Sequence, residues 1–232
     1  MSTSTLSRPR TRHDGALVVV GPREAGRKQT APKMPAWAES WARLWGWQLR
    51  WYTGMGPGAA AAAAAPGLRA LLLRPDTPTS APHAGERRPH VVAALQDLPD
   101  DAAVVKDAVR CAAGCGAALT FVHAVPRSFG QRSVDLDKSL AHGVRLLDAA
   151  VRQATAQAVR LHADLIPSTQ LLRVRPHELV GEELDADLLV VGGPRTEHGA
   201  TERRASVQPG GMGLVAHSAL HHAPCPVLLA PR

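Results

Sequence analysis

Apolar and polar positions divide the chain into two unlike stretches. From residue 91 onward, short apolar runs alternate with amphipathic stretches. Residues 91–95, 118–122, 169–174, 188–191 and 225–230 read as strands, and the uninterrupted run at 188–191 predicts burial on both faces. Four helices fall between them. The first opens at Pro99 and Asp100, residue types suited to a first turn. It carries Val104, Ala108, Cys111, Ala112 and Cys115 on one face and ends at Gly114 and Gly116. A long helix follows the polar loop 127–137, with Leu140, Val144, Leu147, Val151, Ala154, Ala158 and Leu161 in steps of three and four. Pro176 opens a short helix with Leu179, Val180 and Leu184, and the last covers 214–221. The alternation predicts an α/β fold, a doubly wound five-stranded parallel sheet with helices on both faces. Ligands of such sheets sit beyond the carboxyl ends of the strands, which directs attention to the chain after Leu95, Val122 and Val191.

Residues 1–88 have a different texture and form an N-terminal extension to a domain at 89–232. Their apolar runs at 16–20 and 71–73 stand isolated among Pro, Gly, Arg and Thr. The alanine run at 59–65 and the Pro-rich stretch at 75–82 read as linker. A largely disordered extension is expected, dispensable for folding of the domain. One island stands out: all five tryptophans and the only tyrosine lie at 37–52. Trp37, Trp41 and Trp45 share one helical face with Leu44. This Trp-rich helix is expected to dock on its own domain or to stay loose. The competing reading is a helix lying on a membrane surface or in a partner's groove.

Aromatics make up 3% of the chain and hydrophobic residues 45%, so aliphatic residues and alanine must fill the core. The net charge of +7 permits attraction to nucleic acid. Much of the excess, however, sits in the extension, at Arg8, Arg10, Arg12, Arg23, Arg27 and Lys28, and no reading helix is recognisable, so no nucleic-acid partner is expected. Three cysteines cannot pair evenly, and the first twelve residues lack an apolar core. With no apolar run of the ~18 residues a spanning helix needs, a cytoplasmic protein with reduced thiols is expected. Cys111 and Cys115 lie four apart on a helix and would need two more ligands to hold zinc; their apolar face predicts buried packing instead. No Gly-x-Ser-x-Gly elbow or His-Glu-x-x-His pair is present. Two function classes remain: a non-enzymatic binding protein, and a nucleotide hydrolase or transferase, which needs a metal-holding carboxylate and an ordered phosphate cradle.

Residues 221–229, His-His-Ala-Pro-Cys-Pro-Val-Leu-Leu, closely resemble the closing segment of the universal stress protein family. Residues 116–126 resemble its second strand and residues 185–192 its fourth. The resemblance implies strand order 3-2-1-4-5, a homodimer through the last strand, and a stress-response binding role that in many members involves ATP. It also implies a nucleotide cleft made by Gln96 and Asp97 after the first strand, Ala124 and Val125 after the second, and Gly192, Gly193 and Gly213 around the phosphate loop. ATP-binding members carry G-x2-G-x9-G-[S/T] there, where glycines let backbone amides approach phosphate. Gly192 fits the first glycine. Arg195 stands at the second, Gly213-Leu214 replaces Gly-Ser/Thr, and the span is longer. Gln96 aligns with an acidic residue of the family. These departures imply weak or lost ATP binding in a non-enzymatic member; the alternative is an ATP-binding member or a nucleotide-hydrolysing enzyme of related architecture. Gly210, Gly211 and Gly213 with Arg195, Arg203 and Arg204 could form a different anion site, although a solvated loop is the expectation. The segment Asp14 to Arg23 echoes Asp187 to Arg195, either as a relic of a tandem domain or, as expected, a chance likeness of apolar strands.

Overall fold

The computed structural model describes residues 16–21, 35–53, 68–73, 88–125, 133–181, 184–194 and 213–232. The strands are β1 Ala16–Gly21, β2 Gln48–Thr53, β3 Arg69–Leu72, β4 His90–Ala94, β5 Ala118–Ala124, β6 Ser168–Leu172, β7 Leu188–Gly192 and β8 Val227–Ala230. The helices, in chain order, are α1 Ala36–Trp45, α2 Ala102–Cys115, α3 Ser133–Arg160, α4 Pro176–Leu179 and α5 Leu214–His222. From β4 on, strands and helices alternate as the hydrophobic pattern predicts.

The sheet has eight strands rather than five, in the order β2-β1-β3-β8-β7-β4-β5-β6. Within it, β6-β5-β4-β7-β8 keep the 3-2-1-4-5 arrangement among themselves, and the extension adds β1, β2 and β3 beyond β8. Every neighbouring pair is parallel except β3 and β8, which run antiparallel. Strand β8 is therefore interior. The edge expected to pair with a second copy is occupied by Ala70, Leu71 and Leu72, opposite Leu229, Leu228 and Val227, which corrects the expectation of a homodimer through the last strand. A row of unpaired backbone groups beside apolar side chains invites pairing, and here the chain supplies the partner itself.

Strand pleating sends alternate side chains to opposite faces. Val91, Ala93, Phe121, Val190 and Leu228 meet α1, α2 and α3 in one core layer. Val92, Ala94, Leu189, Val191 and Leu229 meet residues of α4 and α5 in the other. The extension joins both layers: Leu17, Val19 and Leu71 face the first, and Val18, Val20 and Leu72 the second.

The tryptophan island splits in two. Gly46, at φ 66°, ends α1 in the left-handed region that glycine enters without penalty. Trp47 is therefore not helical, and Trp51 lies in β2. Trp37 and Trp41 are buried, edge to face, with ring centres 4.7 Å apart. Trp41 and Leu44 lie on α2 where Gly114 presents no side chain: a Cβ there would come within 3.1 Å of Trp41. Trp37 and Trp41 thus dock on their own domain. Arg69 of β3 reaches α2 with two hydrogen bonds to the Asp107 carboxylate, at 2.7 and 2.9 Å, both side chains being buried. The Arg69 guanidinium also lies 4.7 Å from the Trp47 ring centre, within cation–π range. Burial pushes the Asp107 carboxyl above its ordinary range, and Arg69 pulls the other way by hydrogen bond and charge. Such a pair adds little net stability over an apolar contact, but removing one partner strands the other.

Candidate functional site

Strands β4 and β7 lie side by side in the interior of the sheet, and beyond their carboxyl ends the chain turns into α2 and toward α5. Here Ala94, Leu95, Gln96, Val191, Gly192, Gly213, Val215, Ala216 and Arg232 line a cavity of about 20 Å3. A space of that size holds roughly one water molecule, whereas small-molecule pockets are typically about 300–1,000 Å3.

The cavity is small because a guanidinium fills its floor. Arg232 follows β8 and turns back across the end of β7. Its Nε donates to Asp101 Oδ1 at 2.9 Å, and Nη2 donates to the same oxygen. A Cβ on Gly192 would overlap this guanidinium, so only glycine lets the arginine lie flat on β7. Asp101 is fully buried at the start of α2. Its other oxygen accepts the backbone amides of Gln96 and Asp97 at 2.6 and 3.0 Å. One carboxylate thus closes the β4–α2 turn and holds Arg232. Both its oxygens are engaged, as a buried charge requires.

Of the residues the sequence singles out, Gln96, Gly192 and Gly213 meet at the cavity. Gly193 lies just beyond, where a Cβ would come within 2.9 Å of the Ala230 carbonyl. Ala124 ends β5, Val125 follows it, and the Asp97 side chain is exposed; none of the three lines the cavity. Arg195, Arg203, Arg204, Gly210 and Gly211 lie outside the described residues. Leu214 is at the first helical position of α5, 60% exposed. Sequence reasoning missed Asp101 and Arg232. An acidic residue beside a helix start was a signal for Asp101; nothing in the pattern marked Arg232, which reads as one more surface cation.

Among the described residues no group of three or more His, Cys, Asp or Glu side chains could hold a metal. Burial pushes the Cys111 thiol well up, with the Asp107 charge adding to it, and pushes Cys115 up to about 11. Both stay protonated at neutral pH, the opposite of a zinc thiolate.

Fold and cavity together define a doubly wound α/β domain with a cavity at the strand ends where the order reverses, the place where such sheets take ligands. A family model described as the universal stress protein family matches residues 87–231, and the chain belongs to that family. Solved structures resemble part of the chain. One is a universal stress protein from Archaeoglobus fulgidus, 22% identical, covering 61% of this chain and 97% of its own, TM-score 0.45. Another is UspA from Lactobacillus plantarum, 18% identical, covering 63% and 99%, TM-score 0.46. The Archaeoglobus fulgidus protein in complex with dAMP is 22% identical, covering 61% and 95%, TM-score 0.42. Among curated proteins no relative matches. Among the described residues no helix is long and apolar enough to cross a membrane.

Proposed function

We propose that the chain is a non-enzymatic binding and regulatory universal stress protein, acting in the cytoplasm, whose nucleotide cleft binds ATP weakly or not at all. The observation that carries this reading is the Arg232–Asp101 pair in the cleft. The guanidinium takes the space on Gly192 that a phosphate would need, and it is already neutralised by a buried carboxylate. Leu214 offers no hydroxyl where ATP-binding members have one; a lost hydrogen bond to a charged group typically forfeits about 1.5–3 kcal/mol. Gln96 lacks the charge of the acidic residue it replaces. The described lining holds aliphatic side chains, two glycines, Gln96 and Arg232. The Asp101 carboxylate beside it is spent on Arg232 and two backbone amides, which leaves it poorly suited to a metal–phosphate complex. Three free cysteines among the described residues fit a reducing compartment.

Isothermal titration with Mg-ATP tests the reading. The wild-type chain should bind no tighter than roughly 100 µM, about −5.5 kcal/mol, and Arg232→Gln, which shortens the plug, should bind more tightly. Low-micromolar binding by the wild type, weakened by Arg232→Gln, would make the arginine a phosphate ligand and the chain an ATP-binding member. Phosphate release well above the no-protein rate would contradict the non-enzymatic half of the reading.

A further inference from the structure

Helix α5 ends in three histidines that the cleft does not use. His217 and His221 are four residues apart and therefore on one face. Both are exposed, with ring centres 4.7 Å apart and planes tilted by 53°. An imidazole nitrogen sits about 2.0–2.1 Å from a bound transition-metal ion, so two rings on one ion at roughly 90–110° have centres about 4.5–5.2 Å apart. The observed spacing falls in that range. His222 stands beside them, its ring centre 5.8 Å from that of His221.

We propose that the C-terminal half of α5 carries a bidentate site for a divalent transition-metal ion, with His217 and His221 as its imidazole ligands and water completing the coordination. Ligand chemistry sets the class of ion: imidazole suits nickel, copper and zinc, whereas magnesium and calcium prefer oxygen. Position adds a second factor. His221 and His222 occupy the last turn of the helix, where the carbonyl ends of the backbone dipoles favour a cation. The net charge of +7 opposes cation binding only at long range, where salt screens it. The site is separate from the nucleotide cleft, which lies at the other end of the same helix, beside Gly213.

The test is titration of the full chain with NiCl2, and in parallel with ZnCl2 and MgCl2, in a non-chelating buffer near neutral pH. The wild type should take up nickel and zinc but not magnesium. His217→Gln and His221→Gln should each weaken the nickel event by about tenfold or more, because losing one ligand removes the intramolecular advantage of the second. His142→Gln, an exposed histidine on α3, should leave it unchanged. Glutamine is a good helix former, so the metal-free variants should keep the helical circular dichroism of the metal-free wild type. A nickel isotherm that is absent in the wild type, or the same in His217→Gln and His221→Gln as in the wild type, overturns the proposal.

Discussion

The two sides of the β3–β8 seam can be laid over one another. Leu71 faces Leu228 across the seam, with Ala70 opposite Leu229 and Leu72 opposite Val227. One strand further out, Val19 sits beside Leu71 and Val190 beside Leu228. Leu17-Val18-Val19-Val20-Gly21 therefore occupies the place of Leu188-Leu189-Val190-Val191-Gly192, turned about an axis through the seam. Equivalent residues also face the same core layer: Val19 with Val190, and Val18 with Leu189. Beyond them, β2 flanks β1 as β4 flanks β7. Within the segments whose sequences echo one another, residues 17–21 and 188–192 thus also hold equivalent places in the sheet. The halves differ in what they carry. Among the described residues the C-terminal half has four helices and the cleft, the N-terminal half has one helix, and the Arg69–Asp107 ion pair joins the two. A β-sheet seam needs only three strands and matched faces to be covered, whereas a ligand site needs the loops and helix starts as well.

If the N-terminal half is a built-in partner, removing residues 1–85 should have the largest effect. It would expose the β8 edge and the α2 face that holds Trp41. The truncated domain should melt lower by more than about 10 °C, since losses of buried tryptophan and a buried ion pair exceed about 5 kcal/mol together. It should also self-associate, as light scattering would show. A monomer with unchanged melting temperature would mean the extension is a passenger. Next comes the Arg69–Asp107 link: Asp107→Ala takes the carboxylate away from a buried guanidinium and should cost about 3–5 kcal/mol. Replacing both, as Arg69→Met with Asp107→Leu, should recover most of that loss in urea denaturation; a double variant as weak as the single one would deny the coupling. Gly114→Leu should cost about 1–3 kcal/mol by overfilling the seat of Trp41, seen as a lower urea midpoint. Smallest in effect, Cys111 and Cys115 should resist thiol reagents in the folded chain at pH 7.5, because burial holds both thiols protonated, Cys115 at about 11. Rapid modification of either would place it in a more open setting than the packed face of α2.

How much of this the sequence disclosed follows from where each element finds its partners. Strands β4 to β8 and helices α2 to α5 alternate locally, so the hydrophobic period fixed their type. The runs at 16–20 and 71–73 carry the same signal, yet read as isolated because β3 meets β8 more than 150 residues further along the chain. The tryptophan spacing predicts α1, but a helix over 37–52 runs past Gly46, where the left-handed glycine ends α1 and β2 begins at Gln48. In the cleft, glycines announced themselves because backbone must approach closely there. Asp101 and Arg232 did not, since their pairing joins the start of α2 to the residue after β8 and neither lies in a periodic pattern. Asp107 shows the same limit, as a charged residue on an apolar helix face whose partner belongs to the extension.

The central claim is that β3 of the same chain covers β8. Directly opposed residues on antiparallel strands have Cα atoms about 4.5–5.5 Å apart, within the range a disulfide spans. Cysteines at Leu71→Cys and Leu228→Cys, in a background with Cys111, Cys115 and Cys225 replaced by alanine, should close a bond within one chain under mild oxidation. Non-reducing electrophoresis and mass spectrometry should then show a monomer carrying a 71–228 linked peptide, independent of protein concentration. A concentration-dependent disulfide dimer, or no 71–228 bond at all, would contradict the account.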